Sequence, residues 1–206
     1  MHESQSRMIE NMVGRSLGFW QTHFPRLQAL FPAQLGAVTA VQFYRAVNKV
    51  HPSFIRVEAD ELTYNLHIIL RFELEQALLN GELAAADLPA AWAEKMQELL
   101  GVTPPSDTEG CLQDVHWTRP SFGYFPTYAL GNLYAAQLYE AATSQNPAIT
   151  TDMAQGDPVS LVTWLRENVH RYGRKYTPRE LIIRATGQPL THAPFIRYVT
   201  KKFGEM

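Results

Sequence analysis

Little in this 206-residue chain invites an exotic assignment, and its scarcities already narrow the field. It has a single cysteine, Cys111, so no internal disulfide can form and a reducing compartment, the cytoplasm, is the expectation. Cys111 reads as a small buried hydrophobe rather than a nucleophile. No long apolar run suggests export or membrane insertion. Basic residues are not in excess: 18 Lys and Arg stand against 20 Asp and Glu, a formal charge of -2. Nucleic acid and anionic membranes are therefore not expected as partners, since both need a clustered basic surface. Repeats and low-complexity segments are missing as well, and few runs alternate with period two, which leaves a mostly helical domain as the expectation.

What is present begins at the N-terminus. Met8, Ile9, Met12, Val13, Leu17, Phe19 and Trp20 recur at spacings of three and four, as on an amphipathic helix over 7–22. Glu3 and Arg7 share a face, which by itself suggests an i,i+4 ion pair. Phe24-Pro25 and Phe31-Pro32 read as breaks, Val38 to Val50 as a short helix, and His51-Pro52-Ser53 as a stop and restart with Ser53 as a cap. Helix is expected again over 57–80, ending at Asn80-Gly81. There Leu62, Leu66, Ile69 and Ala77 form an apolar stripe, while Arg56, Asp60, Thr63 and His67 lie on another face that by default is solvated. Residues 82–100, 131–145 and Val159 to Tyr172 read as further packing helices. Thr177-Pro178-Arg179-Glu180 reads as a capping box opening a helix to Ala185. The basic run His170 to Lys175 suits a helix C-terminus.

No helical period fits Gly110-Cys111-Leu112-Gln113-Asp114-Val115-His116-Trp117 and the following Phe122-Gly123-Tyr124-Phe125-Pro126-Thr127-Tyr128. Such a run is either a loop that packs its own aromatics or a shaped loop whose rigid rings aim polar tips into a pocket. It resembles the GxxQDxHW signature and the GYFPTY segment of the thermostable-type (Taq-like, M32) zinc carboxypeptidases. His2-Glu3-Ser4-Gln5 resembles that family's HESQ motif, and Ile55, Arg56, Ala59 and Asp60 match its IRxxAD motif.

The resemblance implies an all-α fold with at most a small β element. It also implies a zinc-dependent enzyme, or one using another divalent metal, that removes single residues from peptide C-termini, and it suggests a homodimer. By position Glu3 takes the role of a metal ligand. Arg56 is the candidate for the substrate's terminal carboxylate, because a guanidinium fork matches a carboxylate with paired hydrogen bonds. Asp60 either fixes that fork or neutralises it. His116 with Tyr124 or Tyr128 is the candidate group for stabilising a tetrahedral oxyanion.

One part of the family pattern is missing. The histidines stand at 2, 23, 51, 67, 116, 170 and 192, and none begins an HExxH sequence, the spacing that sets two ligands on one helical face. The expectation is that residues 1–206 form the C-terminal part of an M32-type catalytic domain whose upstream HExxH portion is absent. Such a chain would be inactive alone and hold no metal tightly. The alternative is a non-catalytic helical interaction domain that keeps the family fold.

Overall fold

The computed structural model describes residues 1–204, which divide into two compact units: residues 1–48 with 131–204, and residues 49–130. Among the described residues the regular structure is entirely helical, as the sequence patterning leads one to expect.

In the first unit α1 (His2–Arg7) runs into a π-helical stretch, Met8–Gly14, rather than continuing to residue 22. The long helix starts afresh at α2 (Leu17–Leu30), where the Ser16 hydroxyl accepts from the amide of Phe19. Pro25 lies inside α2 and does not break it; the stop falls at Phe31, ahead of α3 (Pro32–Leu35). Thr39 and Gln42 form a capping box for α4 (Ala40–Val47).

The second unit opens with a 3-10 turn, Arg56–Glu58, and Ser53 caps no helix there. Asp60 holds the following corner: its Oδ1 accepts from the amides of Leu62 and Thr63, and its Oδ2 from the Thr63 hydroxyl. Only then does α5 (Tyr64–Leu79) begin, ending at Asn80 and a left-handed Gly81. A 3-10 turn (Ala85–Asp87) leads into α6 (Leu88–Leu100). Leu70 and Leu74 of α5 bury with Trp92, Met96 and Leu100 of α6 and with Cys111. Cys111 is thus a core residue, as its composition suggested, and burial pushes its thiol pKa up.

The expected apolar stripe is only partly buried: Leu62, just ahead of α5, and Ile69 are exposed, while Leu66 packs against the core. Instead α5 buries Ile68, Leu70 and Leu74 together with His67, Arg71 and Glu75, three polar residues four apart on one line. Polar groups tolerate such burial only when partners meet them, and those partners come from the 110–125 loop.

The helix α7 (Pro126–Gln145) starts on a proline, five residues earlier than its small-residue pattern indicates. Its part from Gly131 onward packs in the first unit with α8 (Ala148–Ala154), α9 (Val159–Asn168), α10 (Pro178–Thr186) and α11 (Ala193–Gly204). Leu138, Ile149, Leu161 and Ile182 are fully enclosed there. The expected capping box at Thr177 and Glu180 is formed, opening α10. The basic run is a 3-10 turn, His170–Tyr172, with the bend that follows it. Its His170, Arg174 and Lys175 line, with Met1, His2 and Gln5, a groove of about 810 Å³.

Candidate active site

The loop delivers three polar functions within four residues, Gln113, Asp114 and His116, against the polar face of α5. Gln113 locks its own segment: its Nε2 donates to the carbonyls of Phe54, Glu109 and Gly110. Its Oε1 accepts from the Arg56 amide and from Arg71 Nη2, both at 2.8 Å. A side-chain amide used at both ends in this way fixes the orientation of the neighbouring Asp114.

Asp114 is shared by two arginines. Arg56 donates to Oδ1 from Nη2 at 2.6 Å and from Nε at 3.1 Å, while Arg71 donates to Oδ2 from Nε at 2.6 Å. Arg56 also donates from Nη1 to the Tyr64 hydroxyl, and its guanidinium lies 5.0 Å from the Tyr128 ring centre. Arg71, with no exposed surface, donates to the carbonyl of His67 and sits over the Trp92 ring at 4.6 Å. Burial alone would raise the Asp114 pKa, but the hydrogen bonds and charges of the two arginines outweigh it and hold the carboxyl below the ordinary range. Burial also opposes the charge on Arg56, and the Asp114 carboxylate reverses this and raises it. Arg71 is drawn down to about 10 by burial and remains charged at neutral pH.

His116 lies beside this triad. Its Nε2 is 3.1 Å from the Tyr128 hydroxyl, and its ring packs on Phe125 with centroids 4.3 Å apart. Its Nδ1 is 3.8 Å from Asp114 Oδ1, which is too long for a hydrogen bond but within electrostatic reach. Desolvation lowers the His116 pKa first, the two arginines lower it further, and Asp114 works against them. The imidazole is accordingly neutral at pH 7, so Nε2 either donates to Tyr128 or accepts from it. Burial raises the Tyr128 phenol pKa. Tyr124 is half exposed, its ring tilted by 33° against that of His116 with centroids 5.7 Å apart.

Of the residues singled out from sequence, Arg56, His116, Tyr124 and Tyr128 are therefore brought together in one unit. Asp60 does not hold the Arg56 fork as the sequence suggested; that carboxylate is Asp114, while Asp60 accepts from the amides of His51, Leu62 and Thr63. Its two oxygens are taken up by the turn into α5 and by the His51 amide. Glu3 lies in the other unit, on α1. The Cβ and Cγ of Glu3 are both 3.2 Å from where a Cβ at Gly131 would stand, so α1 lies close against α7 at that glycine. Its carboxylate is half exposed and reaches Arg7 only at 3.9 Å. Among the described residues no three His, Cys, Asp or Glu side chains converge as a group that could hold a metal ion.

Sequence reasoning passed over Arg71, Tyr64 and Glu75. Arg71 and Glu75 continue the His67 line at i,i+4 spacing, the signal that would have exposed them. Glu75 Oε1 accepts from the Trp117 indole at 3.2 Å and from the Gly123 amide at 2.6 Å.

The sequence profile described as Carboxypeptidase Taq (M32) metallopeptidase matches residues 1–203. Thermostable carboxypeptidase 1 of Thermus thermophilus is 50% identical over 206 residues, covering all of this chain and 40% of that protein. Carboxypeptidase 1 of Bacillus subtilis is 44% identical, with 41% of its length covered. The fold is similar to that of the M32 carboxypeptidase from Deinococcus radiodurans R1, with a TM-score of 0.96 and 53% identity over 99% of this chain and 41% of that one. The chain thus spans about two fifths of the length of these relatives. With the helical fold, the motif residues Arg56 and Asp114 paired in one cluster and this agreement along its length, the chain belongs to the Carboxypeptidase Taq (M32) metallopeptidase family.

Proposed function

We propose that this chain supplies the substrate-handling part of a zinc carboxypeptidase that releases single residues from peptide C-termini. The observation that carries the reading is the pair of buried guanidiniums gathered on Asp114 beside the His116–Tyr128 hydrogen bond, with Arg56, Asp114, His116 and Tyr128 all on motif residues. Arg56 receives the terminal carboxylate of the peptide through the donor hydrogens not spent on Asp114 and Tyr64. Asp114 keeps that fork charged and aimed, and Asp60 holds the turn that carries it. Neutral His116, with Tyr128 or Tyr124, donates to the oxyanion that develops at the scissile carbonyl. Donors of this kind, fixed before the reaction, act where charge appears and need no reorganisation.

Glu3 would be one ligand of the zinc, which would supply Lewis-acid polarisation of the carbonyl and activation of water. The remaining ligands and the general base belong, in this reading, to an upstream HExxH portion of the same enzyme, which is the chain's partner. The complete enzyme is a cytoplasmic homodimer, and this chain alone is inactive.

The test is to mix or co-express the chain with an HExxH portion from the Thermus relative and to follow release of C-terminal residues from unblocked and C-amidated peptides. Release from the unblocked peptide by the assembled protein, and from neither part separately, supports the proposal. An assembled, zinc-loaded complex without release would overturn it in favour of a non-catalytic interaction domain.

A further inference from the structure

Glu75 is a buried carboxylate that the reaction proposed above does not use. It sits on α5, 2% exposed, one helical turn beyond Arg71. Its Oε2 has no hydrogen-bond partner among the described residues, and its Oε1 takes both of the bonds it makes, from the Trp117 indole and the Gly123 amide. A carboxylate is a costly way to fill space at this depth, because an apolar side chain of the same volume would leave no bare oxygen. What it adds is a directional, charge-assisted grip, roughly twice as strong as a neutral hydrogen bond.

The location of the grip is informative. Trp117 directly follows His116, and Gly123 directly precedes Tyr124. Between them the chain closes on itself through short-range bonds: the Arg119 amide to the carbonyl of Val115, the Ser121 amide to that of His116, and the Tyr124 amide to that of Ser121. Such a turn shapes itself without fixing where it lies. Gly123 is left-handed, with φ at +81°, and from that backbone its N–H reaches the carboxylate. On the other side of His116, Arg71 grips Gln113 and Asp114. Two side chains four residues apart on one rigid helix therefore hold the loop immediately before and immediately after the imidazole.

We propose that Glu75 is the positioning residue for His116, clamping both ends of the 117–123 turn to α5 so that the imidazole meets Tyr128 and stays under Phe125. The proposal rests on the reading of His116 as a group of the reaction centre, but its test is made in this chain without turnover. An inactive protein therefore bears on that reading and not on the clamp.

The experiment follows amide exchange at Gly123 and the titration of His116 by nuclear magnetic resonance in the 206-residue chain, in the parent and in Glu75→Leu, Glu75→Gln and Trp117→Phe. In the parent the Gly123 amide exchanges slowly although it lies in a loop; exchange at the rate of an unstructured peptide would overturn the proposal before any variant is made. Glu75→Leu accelerates Gly123 exchange by about tenfold or more, the loss expected for one charge-assisted bond. As the released imidazole gains water, its titration moves up toward the ordinary 6.5. Glu75→Gln, which keeps the accepting oxygen, and Trp117→Phe, which removes only the indole bond, both leave Gly123 protected. A Glu75→Leu chain that folds with Gly123 protection and the His116 titration unchanged would refute the clamp. If Glu75→Leu does not fold, the same two readings are taken from Glu75→Ala, and Gly123 protection with the His116 titration unchanged there would refute it equally.

Discussion

Arg71 donates from Nε to Oδ2 of Asp114 at 2.6 Å from a side chain with no exposed surface. Removing the carboxylate leaves that charge, and the one on Arg56, buried without a counterion. Asp114→Asn should therefore destabilise the second unit by about 3–5 kcal/mol, the range for breaking a buried pair from one side. Urea unfolding followed by Trp92 and Trp117 fluorescence measures it. A change below about 1 kcal/mol, the level of an exposed pair, would show that water reaches the cluster.

The same contact has a pH signature. The Asp114 carboxyl titrates lower in the folded chain than in the unfolded one, so its stabilisation is complete above the ordinary carboxylate range and is lost as pH falls through the folded value. Below pH 4 the stability curve of the parent should fall more steeply than that of Asp114→Asn. Parallel curves would mean that Asp114 is not held by the arginines in solution.

His67 gives a separate acid limb. Burial, then the charges of Arg71 and Arg56, lower it from 6.5 to about 4, and both ring nitrogens lack a hydrogen-bond partner among the described residues. The unfolded chain binds this proton at higher pH than the folded one, so stability drops as pH goes from 6.5 toward 4. The full effect is on the order of 3 kcal/mol. In His67→Leu that part of the pH dependence should flatten. A His67 resonance titrating near 6.5 in the folded protein would contradict it.

For the proposed reaction, Arg56→Lys in the assembled enzyme should lower hydrolysis of peptides with a free C-terminus about ten- to a hundredfold. A point charge cannot reproduce the fork, and a charge-assisted pair is worth roughly 1.5–3 kcal/mol. Arg174→Ala, in the basic run of the other unit, serves as the comparison. Equal losses in the two variants would remove Arg56 from carboxylate recognition.

Zinc titrated calorimetrically into this chain should bind weakly and exchangeably, since Glu3 is the only ligand assigned to it and catalytic zinc needs three protein ligands. Stoichiometric tight binding that disappears in Glu3→Ala would reveal further ligands within these residues.

How much of this could be read from the residues alone depended on what the pattern had to encode. The helical architecture and the Thr177 capping box were open to reading because local spacing and capping chemistry create them. The starts of α5 and α7 were misread by several residues: the 60–63 corner is held by side-chain bonds of Asp60, and a proline at a first helical turn looks the same in sequence as a proline that ends a helix. The orientation of α5 was beyond reach for a different reason. Hydrophobicity ranks Leu62 and Ile69 above His67, Arg71 and Glu75, and only the distant loop residues Gln113, Asp114, Trp117 and Gly123 make the polar line the one to bury. The candidate site shows the same limit. Motif residues marked Arg56 and His116, but the choice between Asp60 and Asp114 as the partner of Arg56 is a matter of tertiary contact, 58 residues apart along the chain.

The ionic lining between α5 and the loop also implies an unusual response to temperature. Apolar burial of the kind that fills the first unit weakens on cooling, whereas the penalty for keeping charges out of water shrinks on heating, because ion hydration loses strength as temperature rises. The grip of Asp114 on its two arginines is thus least opposed when the protein is warm. Chilling weakens both the apolar core and the arginine cluster at once, so stability should fall on cooling by more than apolar burial alone would give.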